Sequence, residues 1–441
     1  MYLKIKNQMV STPQLKREIG VFSSILMGLG SIIGTGVFVS IGIAASITGP
    51  SVILAVVIGA VVATCNAFNS AQLAANHPVS GGTYEYGYKY LNHWFGFIAG
   101  WMFLLAKSAS AATAALGFAG YLLNAFGVNN ETWLVLTALT AVVVLTIVVL
   151  SGIRRSNVTN IIIVSITLFS LILFILAGVP QVVLSGGENL MPFFPGDKPI
   201  ASLLQATALM FVAYTGYGRI ATLGEEVKEP RRNIPRAIAL TMIFTCVLYI
   251  STAVVSVFVG EEVIQKLSQA DVSLAAPLEV IAKVGIFGSP VIPKLITIGA
   301  ITAMLGVLLN LILGLSRVLL AMGRRKDVPK VFAILNSKQT TPYIAVVVVG
   351  VAIASLVLIG DVKTTWSFSA FNVLIYYAIT NFAALQLSPE ERLYHQCLGW
   401  VGLASCLFLA FWVEQQIWLV GLGLIIIGLI WHSLIHRFIT D

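Results

Sequence analysis

Charged residues are scarce in this chain of 441 residues. Asp, Glu, Lys and Arg together make up 10% of the sequence, whereas hydrophobic residues make up 58% and the mean hydropathy is +0.94. Soluble domains carry about 25% charged residues, so the composition excludes a soluble globular protein. It predicts an integral membrane protein in which most side chains face lipid or one another.

Cysteine and histidine are also few. The four cysteines show no CxxC spacing, which excludes a disulfide framework, and the five histidines form no ligand-spaced pair within the hydrophobic core. The sequence therefore predicts no metal, no cofactor and no catalytic residues, and so no enzyme. It has no basic tract interleaved with aromatic residues, which argues against a nucleic-acid partner. It also has no repeated filter or charged ring of the kind that lines a channel.

Long polar stretches are absent as well, so no soluble domain is expected. Apolar runs of about 20 residues predict an all-α membrane protein with twelve transmembrane helices. We expect a cytoplasmic N-terminal tail over residues 1–18, a ten-helix transport core over 19–387, and spans 11 and 12 over 393–436. The even number of spans puts both termini on one side of the membrane.

The basic residues are unevenly distributed. Most of the 26 lysines and arginines fall in predicted loops that share a side with the N-terminus. Because basic loops stay on the cytoplasmic side, the sequence predicts a multi-pass protein of the cell membrane with both termini in the cytoplasm. The net charge of +8 then reflects this orientation and contact with anionic lipid. The sequence leaves monomer and homo-oligomer open.

Two glycine-rich interruptions lie within hydrophobic segments, at residues 28–36 in predicted span 1 and 214–224 in predicted span 6. Each is in the first span of one five-span half. A broken membrane helix exposes backbone groups that lipid cannot satisfy, and paired breaks in two halves indicate a transporter's substrate site. Close packing between helices is the alternative explanation for these glycines.

Four segments carry a family resemblance. They are Ile-Gly-Thr-Gly-Val-Phe at 33–38, Pro-Val-Ser-Gly-Gly-Thr-Tyr at 78–84, a Glu- and Arg-rich segment at 224–236, and Ser316-Arg317 with Asp327-Val-Pro329. In this order the chain resembles the amino acid-polyamine-organocation superfamily of permeases over about residues 18–387. Spans 11 and 12 match only in being hydrophobic. The resemblance implies a leucine-transporter-like fold, with inverted repeats at about 19–180 and 200–387 and with spans 1 and 6 broken.

The resemblance also implies a substrate held between the two broken spans. Backbone N–H groups at the start of the second half of span 1 lie at the positive end of a helix dipole and would bind an α-carboxylate. Carbonyls at both breaks would accept hydrogen bonds from an α-ammonium, and an aromatic residue in span 6 would cover the substrate. The implied substrate-binding residues are Ile32, Gly34, Thr35, Gly36, Phe211, Val212, Tyr214, Thr215 and Gly216.

Lys107 is predicted near the middle of span 3, where a charge costs about 2.5–3.5 kcal/mol on insertion scales and should face the bundle interior. A glutamate that some relatives carry in span 3 aligns with Ala106, and a lysine that replaces sodium in other relatives aligns with Thr167. Span 8 also lacks mid-span hydroxyls. We therefore expect proton-linked or exchange transport rather than sodium symport, with Lys107 and Thr167 as ion-coupling candidates. A structural lysine tied to carbonyls is the alternative.

Charges after span 6 have the composition of a cytoplasmic gate. Arg219, Glu225, Glu226 and Arg317 fall in inner-facing segments, where ion pairs would break as the pathway opens inward. We expect Arg219 to pair with Glu225 or Glu226, since buried charges are usually paired. The alternative is that Arg219 presents its positive charge to an acidic side chain. Contact of the arginines with anionic lipid is an equally simple explanation.

The middle of spans 1, 3, 6, 8 and 10 shows no acidic residue, so a cationic substrate would lack a counter-charge. The sequence therefore favours a secondary active transporter of amino acids, neutral ones, that works by alternating access in the lipid bilayer. Two alternatives stay open. One is an exchanger of cationic or acidic amino acids, and the other is a sensor on the same fold that binds an amino acid without moving it.

Overall fold

The computed structural model describes residues 17–79, 81–152, 157–184, 187–222, 224–258, 275–283, 291–336 and 341–440. Within these ranges every regular element is a helix, and β pairing is confined to one isolated bridge between Ile19 and Val227. The all-helical prediction is confirmed.

Nine segments of the described chain are long and apolar enough to cross a membrane, and two further apolar helices of 10–17 residues accompany them. The protein is therefore a multi-pass membrane protein. The first of the nine segments, Val21–Asn76, contains a turn at Gly49–Ser51. The total of twelve spans and the inverted repeat stay predictions.

The described residues contain seventeen α-helices. In chain order they are α1 (Val21–Ile32), α2 (Thr35–Phe38), α3 (Ser40–Thr48), α4 (Val52–Asn76), α5 (Thr83–Tyr86), α6 (His93–Ala125), α7 (Glu131–Leu150), α8 (Asn157–Leu184), α9 (Pro199–Tyr214), α10 (Gly218–Thr222), α11 (Pro230–Phe258), α12 (Pro277–Ile281), α13 (Val291–Arg325), α14 (Tyr343–Val357), α15 (Val362–Leu385), α16 (Cys397–Ala410) and α17 (Gln415–Thr440).

The first predicted break lies at the end of α1. Ile33 and Gly34 are outside the helical region, with Gly34 at φ −178° and ψ −122°, and the single turn of α2 restarts at Thr35. Val39, at φ −120° and ψ −51°, separates α2 from α3. Span 1 thus consists of three helical pieces rather than one continuous helix.

The second predicted break is milder. After α9 ends at Tyr214, the chain tightens into a 3₁₀ turn over Thr215–Tyr217 and continues as α10. The Thr215 N–H donates to the Val212 carbonyl, and the Thr215 hydroxyl donates to the same carbonyl over 2.8 Å. Span 6 is therefore overwound here rather than open.

The two breaks lie against each other. A Cβ added to Gly36 would stand 2.9 Å from the Ala213 carbonyl oxygen, and a Cβ added to Gly216 would collide with the Ser31 carbonyl. Any larger residue at these positions would push the two helices apart. Glycine here serves close packing and also brings the breaks together, so the two explanations offered by the sequence are not exclusive.

Buried amide side chains connect α4 to α15 and α16. Asn381 of α15 donates to Asn66 over 2.6 Å and accepts from Asn69 over 2.8 Å, and Asn69 also donates to the Leu398 carbonyl of α16. Interhelical hydrogen bonds of this kind hold membrane helices in register. They attach α16 firmly to the core.

Candidate functional site

A hydroxyl group from α11 joins the two breaks. Tyr249 is fully buried, and its Oη lies 2.8 Å from the Ile32 carbonyl oxygen and 3.3 Å from the Ala213 carbonyl oxygen. One phenolic proton serves both acceptors, so each carbonyl keeps a lone pair for another donor. Tyr249 therefore positions the carbonyl that ends α1 against the one that ends α9. The sequence analysis missed this residue, although a tyrosine within an apolar span was a signal.

Thr215 is the centre of a second set of contacts. Lys107 Nζ of α6 lies 3.2 Å from Thr215 Oγ1, and Tyr377 Oη of α15 donates to the Thr215 carbonyl over 3.1 Å. Helices α6, α9 and α15 thus meet at the 3₁₀ turn. Lys107 points into the bundle rather than into lipid, where its charge would have no stabilising partner.

A cavity of about 680 Å³ begins at this turn. Its volume lies within the range of about 300–1,000 Å³ that is usual for small-molecule sites. It is lined by α10 and by α13 as far as Arg325, the last residue of α13, and its lining includes the exposed Arg317. The residues from the sequence prediction that line it are Lys107, Thr215, Gly216, Arg219, Glu225, Glu226 and Arg317.

The remaining predicted residues lie outside the cavity wall. Gly34 is covered by Val307 of α13, whose Cγ2 would be 2.6 Å from an added Cβ, and Thr35 is buried with no partner for its hydroxyl in the described structure. The cavity therefore stops short of the N-terminus of α2. The predicted residues that do not line it are Ile32, Gly34, Thr35, Gly36, Phe211, Val212, Tyr214 and Thr167.

Two of these residues are separated from the cavity by named neighbours. Phe211 is fully buried and packs edge-on against Tyr377, with ring centroids 5.8 Å apart, so Tyr377 lines the cavity in its place. Thr167 is buried in α8 and donates its hydroxyl to the Ile163 carbonyl of the same helix over 2.7 Å.

Arginines outnumber acids at the wide end of the cavity. Within the described residues Arg219 forms no ion pair, contrary to the expected pairing with Glu225 or Glu226. At longer range its charge is repelled by Arg317 and attracted by Glu226. Arg219 lies in α10, which ends at Thr222, and its side chain lines the cavity. Glu225 and Glu226 line the same space.

The closest ion pair at this end involves other residues. Arg325 at the end of α13 lies 2.6 Å from Glu85, and its guanidinium stacks 4.1 Å from the Tyr88 ring centroid. The buried Asp327 accepts hydrogen bonds from Tyr84 over 2.6 Å and from Tyr88 over 2.7 Å. Burial, together with the Asp327 carboxylate, raises the pKa of both tyrosines, so they stay protonated donors.

The contact of Tyr84 with Asp327 explains two segments of the family resemblance. One segment ends at Tyr84 and the other begins at Asp327, and the structure joins them at the wide end of the cavity. Trp431 of α17 also donates to the Asp327 carbonyl over 3.1 Å. The sequence analysis singled out both segments but did not predict their contact.

Described residues pack closely at the opposite end of the bundle. Pro277, the first residue of α12, packs directly on Gly42 of α3, and Ala275 packs on Gly120 of α6. Tyr121 Oη donates to the Phe38 carbonyl over 2.7 Å and accepts from the Leu278 N–H over 3.3 Å. Among the described residues, these contacts cover the end of the bundle that lies away from Arg325.

The sequence profile of the amino acid permease family matches residues 23–435. The chain belongs to this family. An uncharacterized transporter of Mycobacterium tuberculosis is 38% identical to this permease over 431 residues, which cover 97% of this chain and 93% of the relative.

More distant relatives of this permease differ in their named substrates. A branched-chain amino acid permease of Bacillus subtilis is 27% identical, over 96% of this chain and 94% of the relative. A chloroplastic cationic amino acid transporter of Arabidopsis thaliana is 26% identical, over 91% of this chain and 72% of the relative. The family consists of membrane transporters rather than enzymes.

Proposed function

We propose that this permease is a secondary active transporter that moves neutral amino acids across the cytoplasmic membrane by alternating access. The observation that carries the proposal is the cavity that leads from the Arg325 end of the bundle to the break at Thr215. The close contacts of Pro277, Ala275 and Tyr121 at the opposite end fit an inward-open state if the basic loops are cytoplasmic, as the charge distribution favours. The proposal includes twelve spans, a 5+5 inverted repeat within 19–387, and both termini in the cytoplasm.

The charge at the inner end of the cavity supports a neutral substrate. Lys107 is the charged group next to Thr215, whereas the acids that line the cavity lie at or beyond Arg219, near its wide end. A cationic side chain would meet a like charge there, which disfavours its binding. The substrate named for the branched-chain relative agrees with a neutral substrate, whereas the substrate named for the cationic relative does not.

We assign the backbone of the substrate to the two breaks. The N–H groups of Gly34, Thr35 and Gly36 begin α2, where helix geometry leaves them free and the dipole favours a carboxylate. The carbonyls of Ile32, Val212, Tyr214 and Thr215 would receive the ammonium group, with Gly216 leaving room for it and Phe211 bracing Tyr377 above it. Reaching α2 from the observed cavity requires Val307 to move, as expected when the site occludes.

Coupling is assigned to Lys107, because it contacts the break through Thr215. Thr167 is the second candidate: its hydroxyl donates to the Ile163 carbonyl of the same helix and keeps its lone pairs, but the cationic Lys107 disfavours a sodium ion nearby. Proton-linked transport or exchange therefore remains the proposed mechanism.

The gate is assigned to Arg219, Glu225, Glu226 and Arg317, which line the wide end of the cavity. Glu225→Gln tests the assignment, because a gate predicts a change in transport rate of about tenfold, as expected for a lost charged contact. A lipid-binding patch predicts almost no change. Lys228→Gln, at an exposed position of the same loop, is the control and should leave the rate as it is.

Solute counterflow in liposomes tests the function as a whole. Liposomes that contain the purified permease are loaded with each of the common amino acids in turn, and counterflow is measured with and without proton and sodium gradients. Counterflow of neutral amino acids that does not need sodium is expected. Uptake restricted to lysine and arginine would refute the substrate class, and binding without any counterflow would identify a sensor instead.

A further inference from the structure

Lys107 has unused hydrogen-bond donors at the inner end of the cavity. Its side chain is partly exposed to the cavity, and one contact is made, to Thr215 Oγ1 at 3.2 Å. An ammonium group has three hydrogen-bond donors and no acceptor. Among the described residues Lys107 forms no ion pair, so its charge faces the cavity without a protein carboxylate.

Carbonyl oxygens lie on the other side of the same turn. Ser31 lines the cavity, and its carbonyl is packed against Gly216, the residue next to Thr215. Ser31 is in the last turn of α1, where carbonyls lack helical partners and the dipole presents its negative end. A group that can accept hydrogen bonds from an ammonium ion therefore lies beside Gly216, next to the residue that Lys107 contacts.

The wall between these two polar groups is largely apolar. Phe103 of α6 and Val307 and Leu311 of α13 line the cavity beside Lys107. Such a wall excludes water from a bound side chain and strengthens any charge pairing next to it. The pattern is a cation, a carbonyl and an apolar surface that surround one turn of backbone.

We propose that Lys107 binds the carboxylate of the substrate directly in this open conformation, while the Ser31 carbonyl accepts from its α-ammonium. This inference rests on the proposed function and narrows the substrate class to zwitterions that carry both groups on one carbon. Lys107 and Ser31 then form a substrate-binding site between the two breaks and the wide end of the cavity.

This binding site predicts that the permease distinguishes between analogues of one substrate. Isocaproate is leucine without its ammonium group, and isopentylamine is leucine without its carboxylate. Both keep the leucine side chain, so they differ in the charge offered to Lys107. Isocaproate should inhibit counterflow of radiolabelled leucine, more weakly than leucine itself, and isopentylamine should not inhibit it.

Variants of the full-length permease in liposomes test the role of Lys107. Lys107→Met should raise the KM for leucine by about 10- to 100-fold, as expected for a lost hydrogen bond to a charged group, and should abolish inhibition by isocaproate. Lys107→Arg keeps the charge and should restore both. Lys363→Met removes a lysine that pairs with Glu414 at 2.9 Å outside the cavity, and it should behave as the parent does.

Two results would overturn the inference while the proposed function stands. One is a Lys107→Met protein with the parental KM and parental inhibition by isocaproate. The other is inhibition of the parent by isopentylamine as strong as that by isocaproate, and this measurement needs no variant to fold. A parent protein that shows counterflow of none of the common amino acids would refute the proposed function and the inference with it.

Discussion

Removing one hydroxyl group should loosen the junction between the two broken spans. In Tyr249→Phe the ring stays in place, fully buried and packed against Tyr214 at a centroid distance of 4.9 Å. What is lost is the proton that Ile32 and Ala213 share, at 2.8 Å and 3.3 Å. The prediction concerns a hydrogen bond and not a packing defect.

The size of the effect follows from the two distances. The shorter contact is a normal hydrogen bond and the longer one is weak, so a single net bond of about 0.5–1.5 kcal/mol is lost. The Ile32 carbonyl then has more freedom and holds an ammonium group less well. We expect the free energy of unfolding to fall by about 1 kcal/mol and the KM for the best substrate to rise about fivefold.

Tyr214→Phe is the matched control. Tyr214 is also fully buried, but its hydroxyl donates to the Val56 carbonyl of α4 over 3.3 Å and contacts neither break. Unfolding by detergent titration and counterflow kinetics in liposomes measure both quantities. If Tyr249→Phe cannot be distinguished from Tyr214→Phe in KM and in stability, the hydroxyl does not organise the site.

Two further predictions concern the stability of the fold. Asp327→Asn should lower the free energy of unfolding by about 1–3 kcal/mol, because two buried phenols lose a charged acceptor. Glu85→Gln, in a partly exposed pair with Arg325, should cost less than about 1 kcal/mol, and the reverse order in detergent titrations would contradict this account. Burial and then Lys89 lower the pKa of His77 below its ordinary value of 6.5. The unfolded chain therefore binds more protons below that pH, and stability should fall as the pH falls from about 7.5 to about 5.5. His77→Asn should flatten this slope, and an unchanged slope would exclude His77 as its source.

The local features of this permease were predictable because the bilayer leaves few alternatives. Apolar runs must form helices when no water is present to satisfy the backbone, and the structure describes such helices. The interruption at Gly34 was also predictable, since glycines clustered within an apolar run are a local signal. The family followed from short segments whose order along the chain was visible without any contact.

The contacts between distant residues were not predictable. Tyr249 meets Ile32 across 217 positions of sequence, and Tyr84 meets Asp327 across 243. Such pairs depend on how each helix is rotated and how deeply it sits, and helices that are apolar on most faces carry little information about either. Arg219 illustrates the same limit, because acids near it in sequence proved not to be its ion-pair partners.

The sequence by itself determined that the chain is a helical membrane permease with a broken first span, because hydropathy and glycine act through neighbouring residues. Tertiary structure alone decided that Lys107 faces Thr215 in a cavity open at one end, and that Tyr249 joins the two breaks. The physical reason is that a hydrogen bond needs two groups within about 3 Å, and only the packing of whole helices sets distances on that scale.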